Sequence, residues 1–135
     1  MEDYQRIADS FAQQTFMATL GAQLVAVEKG QVQIEFAHLP ELLQQHGYLH
    51  AGVMTSIVDS ACGYSALTMI PEGAEVLTVE FKINFLRPAA GKRFLATGKV
   101  IKPGRTLIVA EGSVTDLDSG KEIAKMTATL INANQ

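Results

Sequence analysis

The chain is poor in the features that most quickly narrow a function. It has one cysteine, Cys62, in 135 residues. A single thiol excludes an intrachain disulfide and is neutral about compartment. Set in an apolar segment, it reads as a small core residue rather than a nucleophile. The net charge is −3 and there is no basic run, which argues against nucleic-acid binding as the main role. No apolar run reaches the roughly 20 residues needed to span a bilayer. The first residues, MEDYQRIADSF, are acidic and polar, unlike a secretory leader. A cytoplasmic protein without a membrane partner is the resulting expectation. Repeats, linkers and low-complexity tracts are also missing, so residues 1–135 are expected to form a single domain. Hydrophobic residues make up 47% and charged residues 19%, which suits a globular chain with a sizeable core.

What is present centres on Gln44 to Met69, QQHGYLHAGVMTSIVDSACGYSALTM. A polar loop with one glycine runs into a long apolar segment interrupted by one carboxylate, Asp59. Apolar residues fall on nearly every side of that segment, which predicts a helix buried all round. A carboxylate there costs several kcal/mol unless it is paired or protonated. Asp59 is therefore a candidate catalytic group; the plain alternative is a carboxylate that only bonds a nearby backbone group or hydroxyl. Ala51 and Gly52 open the helix, where small residues admit a ligand close to the main chain. The first N–H groups of a helix lack internal partners and favour negative charge, so they suit a carbonyl that becomes an oxyanion. Ala51 and Asp59 are eight residues apart, or roughly 12 Å along one helix. One small reacting group cannot touch both. If both act on one atom, they come from two subunits whose helices lie side by side and antiparallel.

Around this segment the pattern is regular. Asp3 to Gln14 carries an apolar stripe at helical spacing (Tyr4, Ile7, Ala8, Phe11), and Gly21 stops the apolar surface that follows. Ala22 to Lys29 and Gln31 to Ala37 read as a hairpin turning at Lys29-Gly30. Glu75 to Leu86 is the clearest strand, with Leu77, Val79, Phe81, Ile83 and Phe85 on one face and Val76, Thr78, Glu80, Lys82 and Asn84 on the other. Lys92 to Ile101, Thr106 to Thr115 and Glu122 to Asn132 follow as three consecutive antiparallel strands. One buried helix and about six antiparallel strands predict an α+β arrangement, a sheet curled around the helix. Sheet covers one side of the helix, and a second subunit could cover the other.

In GYLHAGVMTSIVDSACGYSA, VEFKINFLRPA, GRTLIVAEGSV and GKEIAKMTATL the sequence resembles the hotdog-fold acyl-CoA thioesterases, in particular their phenylacetate-type (PaaI-like) branch. The resemblance covers nearly the whole chain. It implies a hotdog fold with an N-terminal helix and hydrolysis of an acyl-CoA to free CoA and a carboxylic acid. The CoA thioester is then substrate, and no cofactor is needed. It implies a homodimer as the minimal unit, a homotetramer as the assembly, and a site shared between subunits. Asp59 would be general base or nucleophile, and the Ala51 N–H would polarise the thioester carbonyl. Gln44 would stand near the carbonyl and the water, His50 at the motif histidine, and Thr78 beside the carboxylate to orient the water. Gly52 and Met54 would line the substrate site, with Ile57 and Val58 adding apolar surface. Arg87 and Arg105 would meet CoA phosphates, as would Arg93 and Lys102 less specifically. One departure is Ala51, where the family carries glycine; the N–H stays, and the added methyl narrows the site.

Other readings stay open at this point. His46 and His50 have a zinc-compatible spacing, but Gly47 lies between them and no third ligand is placed nearby, so no metal is expected. His50 could simply cap the helix, Gln44 could be an ordinary loop residue, and Thr78 could be there for packing. A non-catalytic acyl-CoA-binding protein, or a hotdog hydratase or dehydratase, would use the same fold.

Overall fold

The computed structural model describes residues 4–133. It contains helices α1 (Gln5–Gln13), α2 (Thr15–Thr19) and α3 (Ala51–Leu67). Its strands are β1 (Gln23–Glu28), β2 (Gln31–Ala37), β3 (Val76–Phe85), β4 (Arg93–Lys102), β5 (Leu107–Asp116) and β6 (Glu122–Asn132). The six strands form one antiparallel sheet in the order β1-β2-β4-β5-β6-β3, and α3 packs across its inner face. β4, β5 and β6 are consecutive neighbours, as their turn chemistry requires. β3 crosses over to pair only with β6, so its other edge is unpaired. This is the sheet curled around a helix that the element order predicts, and the hotdog arrangement that the family resemblance implies.

Three expectations change. The predicted start of the first helix, Asp3, lies outside the described residues. The helix ends at Gln13, one residue before its expected limit, and a second short helix follows. Gln14 adopts extended angles (φ −82°, ψ 93°) between α1 and α2. A Schellman-type close then ends α2. Gly21 has φ +69°, its N–H donates to the Ala18 carbonyl, and the Ala22 N–H donates to the Met17 carbonyl.

Second, α3 is not buried all round. Val53, Met54, Ile57, Val58, Ala61, Cys62 and Ser65 are buried. Ser56, Asp59, Ser60, Gly63 and Leu67 are only half-buried and recur at helical spacing. Sheet and core cover most of the helix, and a stripe of small and polar residues is left uncovered. Composition could not reveal this, because the stripe is made of residues such as glycine and serine that sit equally well in a core.

Third, β3 does not alternate strictly. Thr78 pairs with Leu130 and Glu80 with Thr129, so Val79 is an extra, bulged residue. Residues directly opposite share a sheet face, and Leu130, Ala128, Met126 and Ala124 are buried on the helix side. Thr78 therefore shares the inner face with Phe81, Ile83 and Phe85, while Leu77 points outward opposite Ile131. The bulge reverses the parity of the strand's first residues.

The close seat of α3 on the sheet depends on two glycines. Gly98 of β4 and Gly112 of β5 are directly paired. A Cβ at Gly98 would overlap the backbone of Ala61 and Cys62, and one at Gly112 would overlap the Val58 and Cys62 side chains. Gly98→Ala should therefore destabilise the protein by about 3 kcal/mol. Gly112→Ala should cost less, because side chains yield more readily than backbone. Denaturant midpoints of the two variants check this order, and an unaffected Gly98→Ala would refute the tight helix–sheet contact.

Arg6 pins α1 to the far end of α3. Its Nη2 donates to the Leu67 and Ile70 carbonyls, each at 2.9 Å. A cation at the C-terminus of a helix satisfies carbonyls that have no internal partner.

Candidate active site

Asp59 is the central residue of α3 and lies on its half-buried stripe. Thr78 reaches it from β3, its Oγ1 donating to Asp59 Oδ1 at 2.8 Å. The β3 bulge, which sequence alternation cannot show, puts Thr78 on the face that makes this contact. Burial holds the Asp59 carboxyl above the ordinary carboxylate range, and the Thr78 hydrogen bond lowers it part of the way back. Asp59 Oδ2 has no hydrogen bond to any described residue, so one carboxylate oxygen is oriented and the other is available.

Removing the Thr78 hydroxyl should raise the Asp59 pKa further, because the interaction that favours the ionised form is lost. The acid limb of the pH–rate profile should then move upward in Thr78→Val. If the limb stays in place, Asp59 is not the group whose ionisation controls the rate.

Beside Asp59, Cys62 is buried and its thiol is pushed up to about 12, by burial first and then by the Asp59 charge. It is a core residue, as its setting in the sequence suggests. Ile57 and Val58 are fully buried against the sheet, so they do not line a site as expected.

The loop residues gather elsewhere. Gln44, Tyr48, Leu49, His50, Ala51 and Met54 line a second, mainly apolar cleft, with Phe85 and Pro88 on its far wall. The loop is closed by a bridge between Leu43 and Leu49 and by Gly47 at φ +87°. Gln44 Oε1 accepts from the His46 and Tyr48 N–H groups. That use of the oxygen assigns the amide orientation and leaves Nε2 as a donor. His50 is the N-cap of α3, its Nδ1 accepting from the Gly52 N–H at 2.8 Å. Capping consumes the Gly52 donor, and Gly52 faces a neighbouring groove with Phe16 and Val53 rather than this cleft. The Ala51 N–H has no acceptor among the described residues. It remains, with Gln44 Nε2, a donor available at the cleft.

The sequence-predicted residues therefore form two groups in one chain. Asp59 and Thr78 line one cleft, and Gln44, His50, Ala51 and Met54 line the other. Arg87, just after β3, donates to the Glu122 carbonyl from an exposed position. Arg105 lies in the turn between β4 and β5. Arg93 is taken by an ion pair with Glu35, and Lys102 donates to the Pro103 carbonyl. The sequence reading missed Ser10, Gln14, Ser60 and Tyr64, which also line the Asp59 cleft. Ser60 directly follows Asp59 on the uncovered stripe and Tyr64 lies one turn further along α3, but nothing local marks the two N-terminal residues.

The arrangement offers a partly desolvated carboxylate with an oriented hydroxyl, and a helix N-terminus with free donors in an apolar setting. Together these are the parts needed to hydrolyse an activated ester. Comparison with known proteins agrees. The thioesterase superfamily model matches residues 46–123, more than half of the chain. A thioesterase family protein from Silicibacter pomeroyi superposes with a TM-score of 0.90 at 50% identity, covering 94% of this chain and 95% of its own. The medium/long-chain acyl-CoA thioesterase YigI of Salmonella typhimurium is 30% identical over 129 residues, 84% of this chain and 83% of its own. The PaaI protein of E. coli, from the phenylacetic acid degradation operon, superposes with a TM-score of 0.89 over 97% of this chain and 93% of its own, and at 20% identity it speaks for the fold alone. With its sheet, its central helix and this family match, the chain belongs to the hotdog-fold thioesterase superfamily.

Proposed function

We propose that the protein hydrolyses acyl-CoA thioesters at a site built from two copies of the chain. The observation that carries this reading is the placement of the two half-sites along β3. Thr78, with Asp59, stands near the start of the strand, and Phe85, with the loop cleft, stands at its end. The edge between them is unpaired and presents exposed apolar side chains: Leu77 at 62%, Val79 at 54%, Phe81 at 43% and Phe85 at 45% exposure. Such an edge invites strand addition. Antiparallel pairing of two β3 edges about a two-fold axis at Phe81–Lys82 brings Thr78 of one subunit opposite Phe85 of the other. Asp59 of one subunit then faces Gln44 Nε2 and the Ala51 N–H of its partner, and the uncovered stripes of the two α3 helices meet.

In that site the thioester carbonyl lies against the Ala51 N–H and Gln44 Nε2, which stabilise the negative charge that develops on its oxygen. Asp59, with Oδ1 held by Thr78, uses Oδ2 either to take a proton from a water that attacks the carbonyl carbon, or to attack that carbon itself and form an anhydride that water then hydrolyses. In both routes the C–S bond breaks and CoA leaves as the thiolate, which takes up a proton. His50 contributes by fixing the start of α3, so that the Ala51 N–H is presented to the substrate. Arg87 of one subunit and Arg105 of the partner subunit come to the same end of the paired strands, a position suited to CoA phosphates. Leu77, Ile131 and Leu107 lie side by side across three strands on the outer sheet face. They form the surface on which two such dimers would join as a tetramer. Release of free CoA from a panel of aromatic, medium-chain and long-chain acyl-CoAs tests the reading. Tight binding of these thioesters without CoA release would instead identify a non-catalytic binder.

A further inference from the structure

Motif reading places no functional residue before Gln44, yet the Asp59 cleft takes two side chains from the N-terminal arm, Ser10 and Gln14. Gln14 is held on both sides through its backbone. Its N–H donates to the Phe11 carbonyl at 3.0 Å, and its carbonyl accepts from the Met17 N–H at 3.1 Å. Its side-chain amide is held at both ends as well. Nε2 donates to the Tyr64 hydroxyl at 3.1 Å, and Oε1 accepts from the Ser60 hydroxyl at 3.2 Å. Ser60 directly follows Asp59, and Tyr64 lies one turn further along α3. The Tyr64 hydroxyl also meets Ser10 Oγ at 3.1 Å, and its ring packs against Phe11 with centroids 6.0 Å apart. These bonds form a polar bar that ties the N-terminal arm to the helix carrying Asp59.

We propose that Gln14 is a specificity-determining residue of this cleft, a polar stop that limits the length of the acyl group. The proposal rests on the acyl-CoA reading above and deepens it. The cleft beside Asp59 has a volume of about 190 Å³. That is less than half the volume of the loop cleft, about 430 Å³. A short acyl group fits between Asp59 and the bar. A long alkyl chain has to press methylenes against the Gln14 amide and the Tyr64 hydroxyl, displacing hydrogen bonds that it cannot replace. Because the bar is held by both helices of the arm and by α3, it does not swing aside as a free surface side chain would.

The test compares wild type, Gln14→Ala and Tyr64→Phe on butanoyl-, hexanoyl-, decanoyl- and hexadecanoyl-CoA. In Gln14→Ala the ratio of kcat/KM for decanoyl- over butanoyl-CoA should rise about tenfold, mainly through KM. Tyr64→Phe keeps the ring and its contact with Phe11 but removes the hydroxyl that Gln14 grips, so it should show part of the same shift. A purely structural role would lower all four substrates alike. Dissociation constants of non-hydrolysable S-alkyl-CoA thioethers of the same lengths read the limit without catalysis. Thioether binding that prefers short chains and relaxes in Gln14→Ala supports the proposal, even if no thioester is cleaved and the hydrolase reading fails. An unchanged length ranking in both folded variants, or no thioether binding by wild type, overturns it.

Discussion

Asp59→Asn should lower the rate of acyl-CoA hydrolysis at least about a hundredfold while the fold survives. The substitution keeps the shape of the side chain and an oxygen that can accept the Thr78 hydrogen bond seen at 2.8 Å. It removes the negative charge and with it both the proton acceptor and the nucleophile. The same change should not destabilise the protein at neutral pH. Burial raises the Asp59 pKa in the folded state, so the folded protein holds this proton more tightly than the unfolded chain does. The stability linked to that proton is fully present below the unfolded pKa and is lost as pH rises through the folded value. Asn undergoes no such loss. Asp59→Asn should therefore be at least as stable as wild type at neutral pH, with the difference shrinking as the pH falls below the ordinary carboxylate range. Turnover assays and melting curves across pH check both halves. Near wild-type hydrolysis by a folded Asp59→Asn protein would remove Asp59 from the mechanism.

Activity should reappear when two inactive variants share a dimer. One carries Asp59→Asn. The other carries Gln44→Ala with Ala51→Pro, which deletes both donors of the loop cleft, the second by removing a backbone N–H at a position where a helix tolerates proline. In a mixed dimer one site receives all the damage, and the other combines an intact carboxylate from one chain with intact donors from its partner. Subunits exchanged by gentle unfolding and refolding should regain a large fraction of the one-site rate, from parents that are nearly inactive. The geometry behind this is simple. Eight residues of helix separate Ala51 from Asp59 by roughly 12 Å, and the two groups open into different clefts of one chain. Folded parents and confirmed mixed dimers without recovery would place the whole site within one chain and exclude the β3 pairing proposed here.

The central helix, its start at Ala51, the isolated carboxylate, the order of elements along the chain and the adjacency of β4, β5 and β6 were all legible without coordinates. Each depends on residues close in sequence: an apolar run of helical length, a small-residue opening, and turns marked by Gly and Pro. The six strands fall within about two residues of their expected limits, and β2 and β6 match at both ends. The separation of the Ala51 donor from Asp59 also followed from sequence spacing, since the rise of a helix is fixed. Ile57 and Val58, expected to add apolar surface to the site, are fully buried, and Gly52 opens on a groove beside the loop cleft. In each case the residue type suits a binding site, but its orientation depends on which neighbours surround it. Gly52 gives its N–H to the His50 cap, and Ile57 and Val58 turn toward the sheet.

The sequence by itself determined the elements, from local periodicity, and pointed to the family and the candidate carboxylate through one contiguous motif. The resemblance named Thr78 as that carboxylate's neighbour; only the tertiary structure decided how Thr78 reaches it and what else surrounds it. Thr78 meets Asp59 because an extra residue, Val79, shifts the parity of β3 against β6, and a bulge is defined by the partner strand rather than by the bulged one. Gln14 enters the cleft through hydrogen bonds to residues 46 and 50 positions away. Gly98 and Gly112 matter because a helix from another part of the chain passes directly over them. Each of these depends on which distant segments come into contact, and a period read along one strand or one helix carries no information about that.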